Sequence, residues 1–423
     1  MSCILSHVTL QQRLTCCALV CRSWAAAAAA APADVEITIN SSKHCQQLQH
    51  WLTKHGAVVA RLDASDFVWN NPGLFWLHLP VQHLKQLHSL ALYSINAQLP
   101  PHIATHSSTR RTKGSSLTGP SSSNAVGSIG SAAAAAATAA AAAAAAATAA
   151  AVLPQLQELT LQKCQLTAPL FSQLLSATSL SQLLWGDVML CVDVDRQTRQ
   201  LTQVETYSTL WQRLQVLPKL SQLGLVVDRL TAADITPLSS MQRLQRLTMY
   251  MLEYSFPRSD WSSKDDSGPR ELLAALQHLT QLKDLCLEGM ALHRVYNQQE
   301  PPSSRYQSFS ALTASTQLTA LRLTEYRGQP VPQAAFGAMF PAGRVLPHLR
   351  ELFLKGCHPA WYDIGMQPCV DAAQVDMVAA SCPALQHVTL ASVTPIPFDY
   401  RCLAKLPSGV AQLHDLPWSR PAS

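Results

Sequence analysis

The chain has 423 residues, of which 48% are hydrophobic and 13% are charged, and its formal net charge is +5. This hydrophobic fraction excludes an intrinsically disordered chain, and the length suffices for two or three domains or for one repeat array with an end piece. The small net charge does not favour a nucleic-acid binder, whose Lys and Arg residues usually concentrate on one face.

The twelve cysteines lack the paired spacing of a disulfide framework or a structural zinc site. Cys16, Cys17 and Cys21 with His7 come nearest to a metal cluster, and helical spacing would put Cys17 and Cys21 on one face. Because the paired spacing of a structural zinc site is missing, a core role is favoured. Met1 to Val8 lacks the charged and long apolar regions of a signal peptide. We therefore predict an intracellular protein, cytoplasmic or nuclear, with no metal and no cofactor.

Residues 1–31 predict a short helical piece, in which apolar side chains such as Leu14 and Cys17 share one face. The segment ends in V-C-R-S-W, from Val20 to Trp24. It resembles the later part of an F-box, whose pattern ends in V-C-[RK]-x-W. The Leu-Pro and the acidic segment that open an F-box are missing from the sequence, so we expect a truncated or degenerate box.

The F-box resemblance implies a binding partner. In that family, the helical box docks through its apolar face on a Skp-type adaptor of a cullin-RING ubiquitin ligase. The residues that match the docking pattern are Ile4, Leu5, Leu14, Val20 and Trp24. An alternative interpretation is that they cap the first repeat of the array behind them.

Residues 32–100 predict the first, atypical repeat units, in which an alternating strand, a helix and a second strand follow one another. The apolar residues of this pattern are Val35, Ile37 and Ile39, then Leu48, Trp51 and Leu52, then Val58 and Leu62.

Residues 101–151 predict a low-complexity insertion rich in Ser, Gly and Ala, disordered or helical, that ends in an Ala tract over residues 132–151. The tract has the length of a membrane span, but it holds no Leu, Ile, Val or Phe and lacks an aromatic belt. We therefore predict an insertion between repeats and no membrane contact.

Residues 152–402 repeat one leucine spacing, L-x-x-L-x-x-L-x-L, in four near-complete copies and several weaker ones. The four copies begin with Leu153, Leu156, Leu159 and Leu161; with Leu217, Leu220, Leu223 and Leu225; with Leu279, Leu282, Leu285 and Leu287; and with Leu346, Leu349, Leu352 and Leu354. This region resembles the leucine-rich-repeat family.

The final L-x-L of each copy alternates with period two, which places its leucines inward and the intervening residues outward on a short strand. One unit cannot bury its own apolar face, so the units must stack. The predicted fold is an α/β leucine-rich-repeat solenoid, a horseshoe with a parallel concave sheet. After Trp185 an alternating run predicts a hairpin that projects from this frame, and residues 403–423 predict a C-terminal cap or tail.

The outward residues of the strands form the predicted binding surface. Those of types enriched at interfaces, or able to meet a charged partner, are Tyr93, Arg246, Tyr250, Arg322, Glu351, Phe353 and Lys355. The sequence contains no Walker A loop, dinucleotide fingerprint, H-E-x-x-H or G-x-S-x-G motif, so we predict no enzymatic activity.

Two functional hypotheses follow. In the first, the chain is a substrate receptor of a Skp-cullin-F-box ubiquitin ligase, and its solenoid holds a target protein. In the second, the same surface belongs to a ligase-independent interaction scaffold.

Overall fold

The structure is a computed structural model. It describes residues 32–66, 76–99, 153–186, 188–194, 201–203, 210, 214–215, 217–227, 235–251, 267–290, 292, 306–325, 333–356 and 372–391. The F-box-like segment 1–31, the insertion 101–151 and the tail 403–423 lie outside these residues. The adaptor-binding residues predicted from the sequence, Ile4, Leu5, Leu14, Val20 and Trp24, lie outside them too and stay a prediction.

The chain divides into two compact units. The first comprises residues 1–180 and 188–206, and the second comprises residues 181–187 and 207–423.

In the first unit, parallel strands form a ladder in the order β1-β2-β4-β6. These strands are β1 (Ala33–Ile39), β2 (Val59–Asp66), β4 (Ser89–Tyr93) and β6 (Glu158–Gln162). Their register aligns Leu62 with Leu90 and Leu90 with Leu159. All three leucines are at most 1% exposed, which confirms the predicted inward positions.

A helix, α1 (Ser42–His55), follows β1. Its first turn is capped by the Ser41 side chain, which accepts a hydrogen bond of 3.3 Å from the His44 backbone N–H. The helix buries Cys45, Leu48 and Leu52, so the predicted helix is confirmed, whereas Trp51, predicted with the apolar residues, is only partly buried.

A second sheet in the first unit is not predicted by the sequence. Its order is β10-β9-β7-β5-β3. The strands are β3 (Trp76–His78), β5 (Asn96–Gln98), β7 (Gln165–Thr167), β9 (Met189–Val194) and β10 (Leu201–Gln203). The predicted hairpin is confirmed as β9 and β10, but β9 also pairs with β7, so the hairpin extends a sheet rather than projecting from the frame. This pairing satisfies backbone groups that would otherwise lie unbonded.

The second unit has a longer parallel ladder, in the order β8-β11-β12-β13-β14-β15-β16. The strands are β8 (Gln182–Gly186), β11 (Gln222–Val227), β12 (Arg246–Met251), β13 (Asp284–Glu288), β14 (Ala320–Glu325), β15 (Glu351–Gly356) and β16 (His387–Ala391). Leu223, Leu247 and Leu285 align across three of them and are at most 1% exposed.

Helical segments complete the repeats. In the second unit they are α3 (Ser267–Leu276), α4 (Gln333–Met339), α5 (Ala372–Ser381) and the 3₁₀ helices Thr236–Ser240 and Gln307–Thr313. The first unit has α2 (Ala168–Leu174) and the 3₁₀ helices Gly56–Val58 and Val81–His83. The core lies between these segments and the leucines of the ladder.

One backbone hydrogen-bond pattern recurs between successive repeats of the second unit. The Ser221 carbonyl oxygen accepts from Gln245 N at 2.7 Å and from Arg246 N at 3.0 Å. The Gln245 carbonyl oxygen likewise accepts from Lys283 N at 2.7 Å and Asp284 N at 3.0 Å. The shared acceptor fixes the register in which each strand enters the ladder.

Polar side chains in the core also join neighbouring repeats. The Cys164 thiol donates to the Leu92 carbonyl oxygen at 3.1 Å in the first unit. In the second, the buried Ser315 hydroxyl lies 2.8 Å from the Thr280 carbonyl oxygen and 2.6 Å from that of Leu282. Each is a small polar group with backbone partners, as a core position requires.

Candidate protein-interaction surface

The outward side chains of β8 and β11 to β16 form one face of the second unit, here called the ladder face. On β13, Leu285 and Leu287 are buried, whereas Asp284, Cys286 and Glu288 are partly exposed. The parallel register places Arg322 beside Cys286 on one side and beside Phe353 on the other. Residues far apart in sequence thus become neighbours on this face.

A chain of charged side chains crosses the ladder face. Asp284 lies at its centre: its carboxylate is 3.1 Å from Arg246 Nε and 3.1 Å from Arg322 Nη1. Arg322 also forms an ion pair with Glu351 through Nη2. Partial burial acts to lower the pKa of Arg322, but the Asp284 and Glu351 carboxylates outweigh it and raise that pKa.

Exposure differs along this chain of charges. The Asp284 side chain is 14% exposed, whereas those of Arg246 and Arg322 are 56% and 39% exposed. Arg322 is held between two carboxylates, while Arg246 pairs with Asp284 through Nε and contacts Gln222 Oε1 at 3.5 Å through Nη1. Arg246 therefore presents more of its guanidinium to an incoming group.

An aromatic and a sulfur side chain lie next to the charges. Burial raises the pKa of the Tyr250 phenol, and the neighbouring Cys286 and Glu288 add to this effect. Burial also raises the pKa of the Cys286 thiol, although Arg322 acts in the opposite direction. Both groups are therefore neutral at physiological pH, and they act as contact and hydrogen-bonding groups rather than as charges.

At the β8 and β11 end of the ladder face, the outward residues include an apolar group of Leu184, Gly224 and Val226. Gly224 lies opposite Leu184, and a Cβ atom at position 224 would come within 2.5 Å of Leu184 Cδ1. The absence of a side chain at Gly224 therefore lets Leu184 lie across the neighbouring strand. Val226, which is partly exposed, extends this apolar region towards Tyr250 on the next strand.

The structure brings together some of the residues that the sequence predicts to bind a partner. Arg246, Arg322 and Glu351 are joined through Asp284, and Tyr250 and Phe353 lie on the same ladder. Tyr93 lies on β4, in the first unit, and so belongs to a different ladder segment. The Lys355 backbone pairs with Thr324, but its side chain lies outside the described residues.

The sequence does not single out Asp284 or Cys286 as contact residues, although both are central to the ladder face. The signal for Cys286 is present, since it stands between the inward Leu285 and Leu287. The same alternation predicts Asp284 as an outward residue, but its pairing with Arg246 and Arg322 cannot be predicted locally, because these arginines come from the two adjacent strands.

Among the described residues, no group of three or more His, Cys, Asp and Glu side chains could hold a metal ion. Over the same part of the chain, no helix has both the length and the apolar character needed to cross a membrane.

No protein-family model matches the chain, and no curated protein matches it significantly in sequence. Three of the solved structures similar to it are an internalin from Listeria monocytogenes, the Rad7 and Elc1 complex in yeast, and a TLR13–ssRNA13 complex. The internalin is 12% identical, with coverage of 89% of this chain and 94% of that one and a TM-score of 0.31. The Rad7 and Elc1 structure is 13% identical, with coverage of 84% of this chain and 75% of that one and a TM-score of 0.33. The TLR13 structure is 12% identical, with coverage of 84% of this chain and 47% of that one and a TM-score of 0.31.

These TM-scores correspond to partial superpositions, so the fold assignment depends on the chain's own strands. Equivalent leucines occupy equivalent buried positions along parallel ladders in both units. Helical segments or short strands complete each repeat on the opposite side of the core. The chain therefore has an α/β leucine-rich-repeat fold.

Proposed function

We propose that the ladder face of the second unit binds a partner protein. The observation that carries this proposal is the convergence of Arg246, Tyr250, Arg322, Glu351 and Phe353 on one face. Arginine and aromatic side chains are enriched at the energetic centres of protein interfaces. The face is an open row of strand residues, and such a surface suits a macromolecule better than a small ligand, which needs an enclosed pocket.

The contacts of the ladder face indicate a different role in binding for each group of its side chains. Asp284 and Arg322 hold one another in place, which reduces the side-chain entropy lost on binding. The more exposed Arg246 can receive a carboxylate from the partner, while Tyr250 and Phe353 supply flat contact area. The apolar region around Leu184 and Gly224 can receive an aliphatic side chain.

The ladder-face proposal is tested by quantitative proximity labelling in cells with the full chain and a Tyr250→Ala/Phe353→Ala variant. A Gln242→Ala/Gln277→Ala variant, which changes two exposed side chains away from the strands, is the matched control. We expect a set of proteins whose labelling falls at least several-fold in the first variant and not in the control. If no labelled protein distinguishes the two variants, the ladder face is not the binding surface.

The finer proposal is that the partner is a target for ubiquitin transfer. It is supported by the resemblance of residues 1–31 to an F-box, above all by Val20-Cys21-Arg22-Ser23-Trp24. In this arrangement the N-terminal segment docks on a Skp-type adaptor and the ladder face holds the target. Other subunits carry out the transfer, and tethering raises the effective concentration of the target near them.

A pull-down of a Skp-type adaptor by the full chain tests this finer proposal. We expect the adaptor to be retained by the parent and lost from a Val20→Asp/Trp24→Ala variant. A Gln11→Ala/Gln12→Ala variant, altered at polar positions of the same segment, should retain it. If a folded parent does not bind, the ubiquitin proposal fails, whatever the labelling experiment gives. A positive labelling result would then favour a ligase-independent scaffold.

A further inference from the structure

The positive charge of the chain is concentrated in its first part. Residues 1–157 contain nine Lys and Arg but four Asp and Glu, whereas residues 158–423 contain 22 of each. The first part therefore accounts for the whole net charge of +5. This excess belongs to the first unit, whereas the arginines of the ladder face belong to the second and are paired with carboxylates.

A basic surface within this part of the chain lies on α1. The helix contains no Asp or Glu, and its outer side carries the exposed Lys43, His50 and Lys54. Trp51 and His55 lie among them with their rings stacked, 5.2 Å between centroids. We call these five residues the basic face of α1.

Helix stability does not explain the distribution of charge on α1. Lys54 and His55 in the last turn are favourable, because the helix macrodipole places negative charge there. Lys43 and His44 stand at the opposite end, where cations are disfavoured, and the first turn contains no acidic residue. The basic first turn therefore destabilises the helix slightly, and a role other than helix stability must account for its lysine.

The cations of the basic face also act on one another. The pKa of His55 is lowered by partial burial and by the charges of Lys54 and His50. His55 is therefore protonated less readily than a free imidazole, and the positive charge that a negative group would meet at this face comes mainly from Lys43 and Lys54. The electrostatics of α1 thus favour an anionic ligand.

The shape of the face indicates the size of that ligand. An open groove of about 550 Å³ runs along the helix, and its described lining comes from α1 alone. The side of the groove that the described residues form is open, which suits a segment of chain laid along the helix better than an enclosed small molecule. Trp51 offers such a segment an apolar contact between the charges.

The segments that flank residues 32–66, which contain α1, carry no negative side chain that could occupy the groove. Residues 1–31 and residues 67–75 contain no Asp or Glu. The neighbouring segments thus offer no carboxylate to the basic face of α1, and an acidic segment of a second protein is a candidate occupant.

We propose that the basic face of α1 docks an acidic segment of a partner protein, at a site separate from the ladder face. Lys43 and Lys54 pair with its carboxylates at the two ends of the helix. Trp51 packs against its aliphatic side chains. This docking site does not depend on the proposed function of the ladder face, and either can fail alone.

The test measures binding of a fluorescein-labelled oligoglutamate peptide to the full chain by anisotropy, with an oligoglutamine peptide as the uncharged control. A Lys43→Gln/Lys54→Gln variant should bind oligoglutamate roughly tenfold more weakly, since two exposed ion pairs are lost. A Lys219→Gln/Lys283→Gln variant removes the same charge from exposed positions of the second unit and should bind like the parent. A Trp51→Ala variant should weaken binding without changing its salt dependence.

Three results would overturn the proposal. The first is a parent that binds oligoglutamate no more tightly than oligoglutamine. The second is an equal loss of affinity in the two lysine variants, which would show a diffuse effect of net charge. The third is tighter binding to phosphatidylserine vesicles or duplex DNA than to the peptide, with the same dependence on Lys43 and Lys54. That result would assign the face to a membrane or to nucleic acid.

Discussion

The two units build the same ladder and close it differently. In the first unit, short strands such as β5 and β7 follow the ladder strands and form a second sheet. In the second, α3, α4 and α5 occupy the other side of the core. The leucine spacing therefore determines the parallel ladder. The sequence between the ladder strands determines whether a short strand or a helix follows each of them. Helix formers such as those of Glu271–Leu276 favour a helix, whereas in the first unit the three-residue Gln165–Thr167 pairs into the second sheet before α2 begins at Ala168.

The largest effects should come from truncating the core behind each ladder. Leu166 on β7 and Leu273 on α3 are both 0% exposed. Leu166→Ala and Leu273→Ala should each lower the free energy of unfolding by about 2–5 kcal/mol, because each leaves a cavity. Urea denaturation measures both, with the exposed Gln155→Ala and Gln277→Ala as controls expected to change it by less than about 0.5 kcal/mol. A Leu166→Ala cost equal to that of Gln155→Ala would mean that the second sheet does not support the core.

Smaller effects should appear at the turn that leaves each ladder strand. Ser94 and Gly289 occupy equivalent positions with φ of 58° and 71°, and their N–H groups donate to Gln162 and Thr324 on the next strand. Ser94→Gly should stabilise by roughly 0.5 kcal/mol and Gly289→Ala should destabilise by about 1 kcal/mol, because only glycine adopts this conformation without strain.

Gly337 is the matched control for the glycine substitution. It lies in α4, where a Cβ would have no neighbour within 4 Å. Gly337→Ala should therefore raise the thermal unfolding temperature, whereas Gly289→Ala should lower it. Equal shifts of the same sign would show that backbone conformation does not decide the residue at the turn.

The sequence predicts the ladder well because its signal is local. The alternation of Leu285 and Leu287 with their neighbours requires no knowledge of other repeats. The second sheet escapes prediction because β5 and β7 are three residues long and begin with the polar Asn96 and Gln165, which is too short for a periodic pattern.

The charge network escapes prediction for another reason. Arg322 meets Asp284 and Glu351, which are 38 and 29 residues away in sequence. These contacts exist because insertions of different length still return each strand to the same register. The sequence lists the charges on the ladder face, but only the paired strands show which of them are compensated.

The smallest predicted effects on stability concern two carboxylates, one beside another carboxylate and one paired with arginines. Asp63 on β2 faces Glu36 on β1, and its pKa is raised by partial burial and by Glu36, with Arg61 opposing. The ionised form is thus disfavoured in the native state, and Asp63→Asn should stabilise by roughly 0.3 kcal/mol at neutral pH after solvent screening. Asp284→Asn should instead destabilise by about 0.5–1 kcal/mol, because it removes the ion pairs with Arg246 and Arg322.

The pH and salt dependence of these two substitutions separate charge from packing. Because the native pKa of Asp63 lies above its unfolded value, its penalty is full above the native pKa and vanishes as the pH falls below the unfolded one. The gain from Asp63→Asn should therefore shrink as thermal unfolding is measured at successively lower pH. In about 1 M salt both substitutions should approach neutrality, since the screening length falls to roughly 3 Å. An Asp284→Asn effect that is unchanged by salt would mean that this side chain stabilises the ladder through packing. The sites of Asp63 and Asp284 would then differ in packing rather than in the charges around each carboxylate.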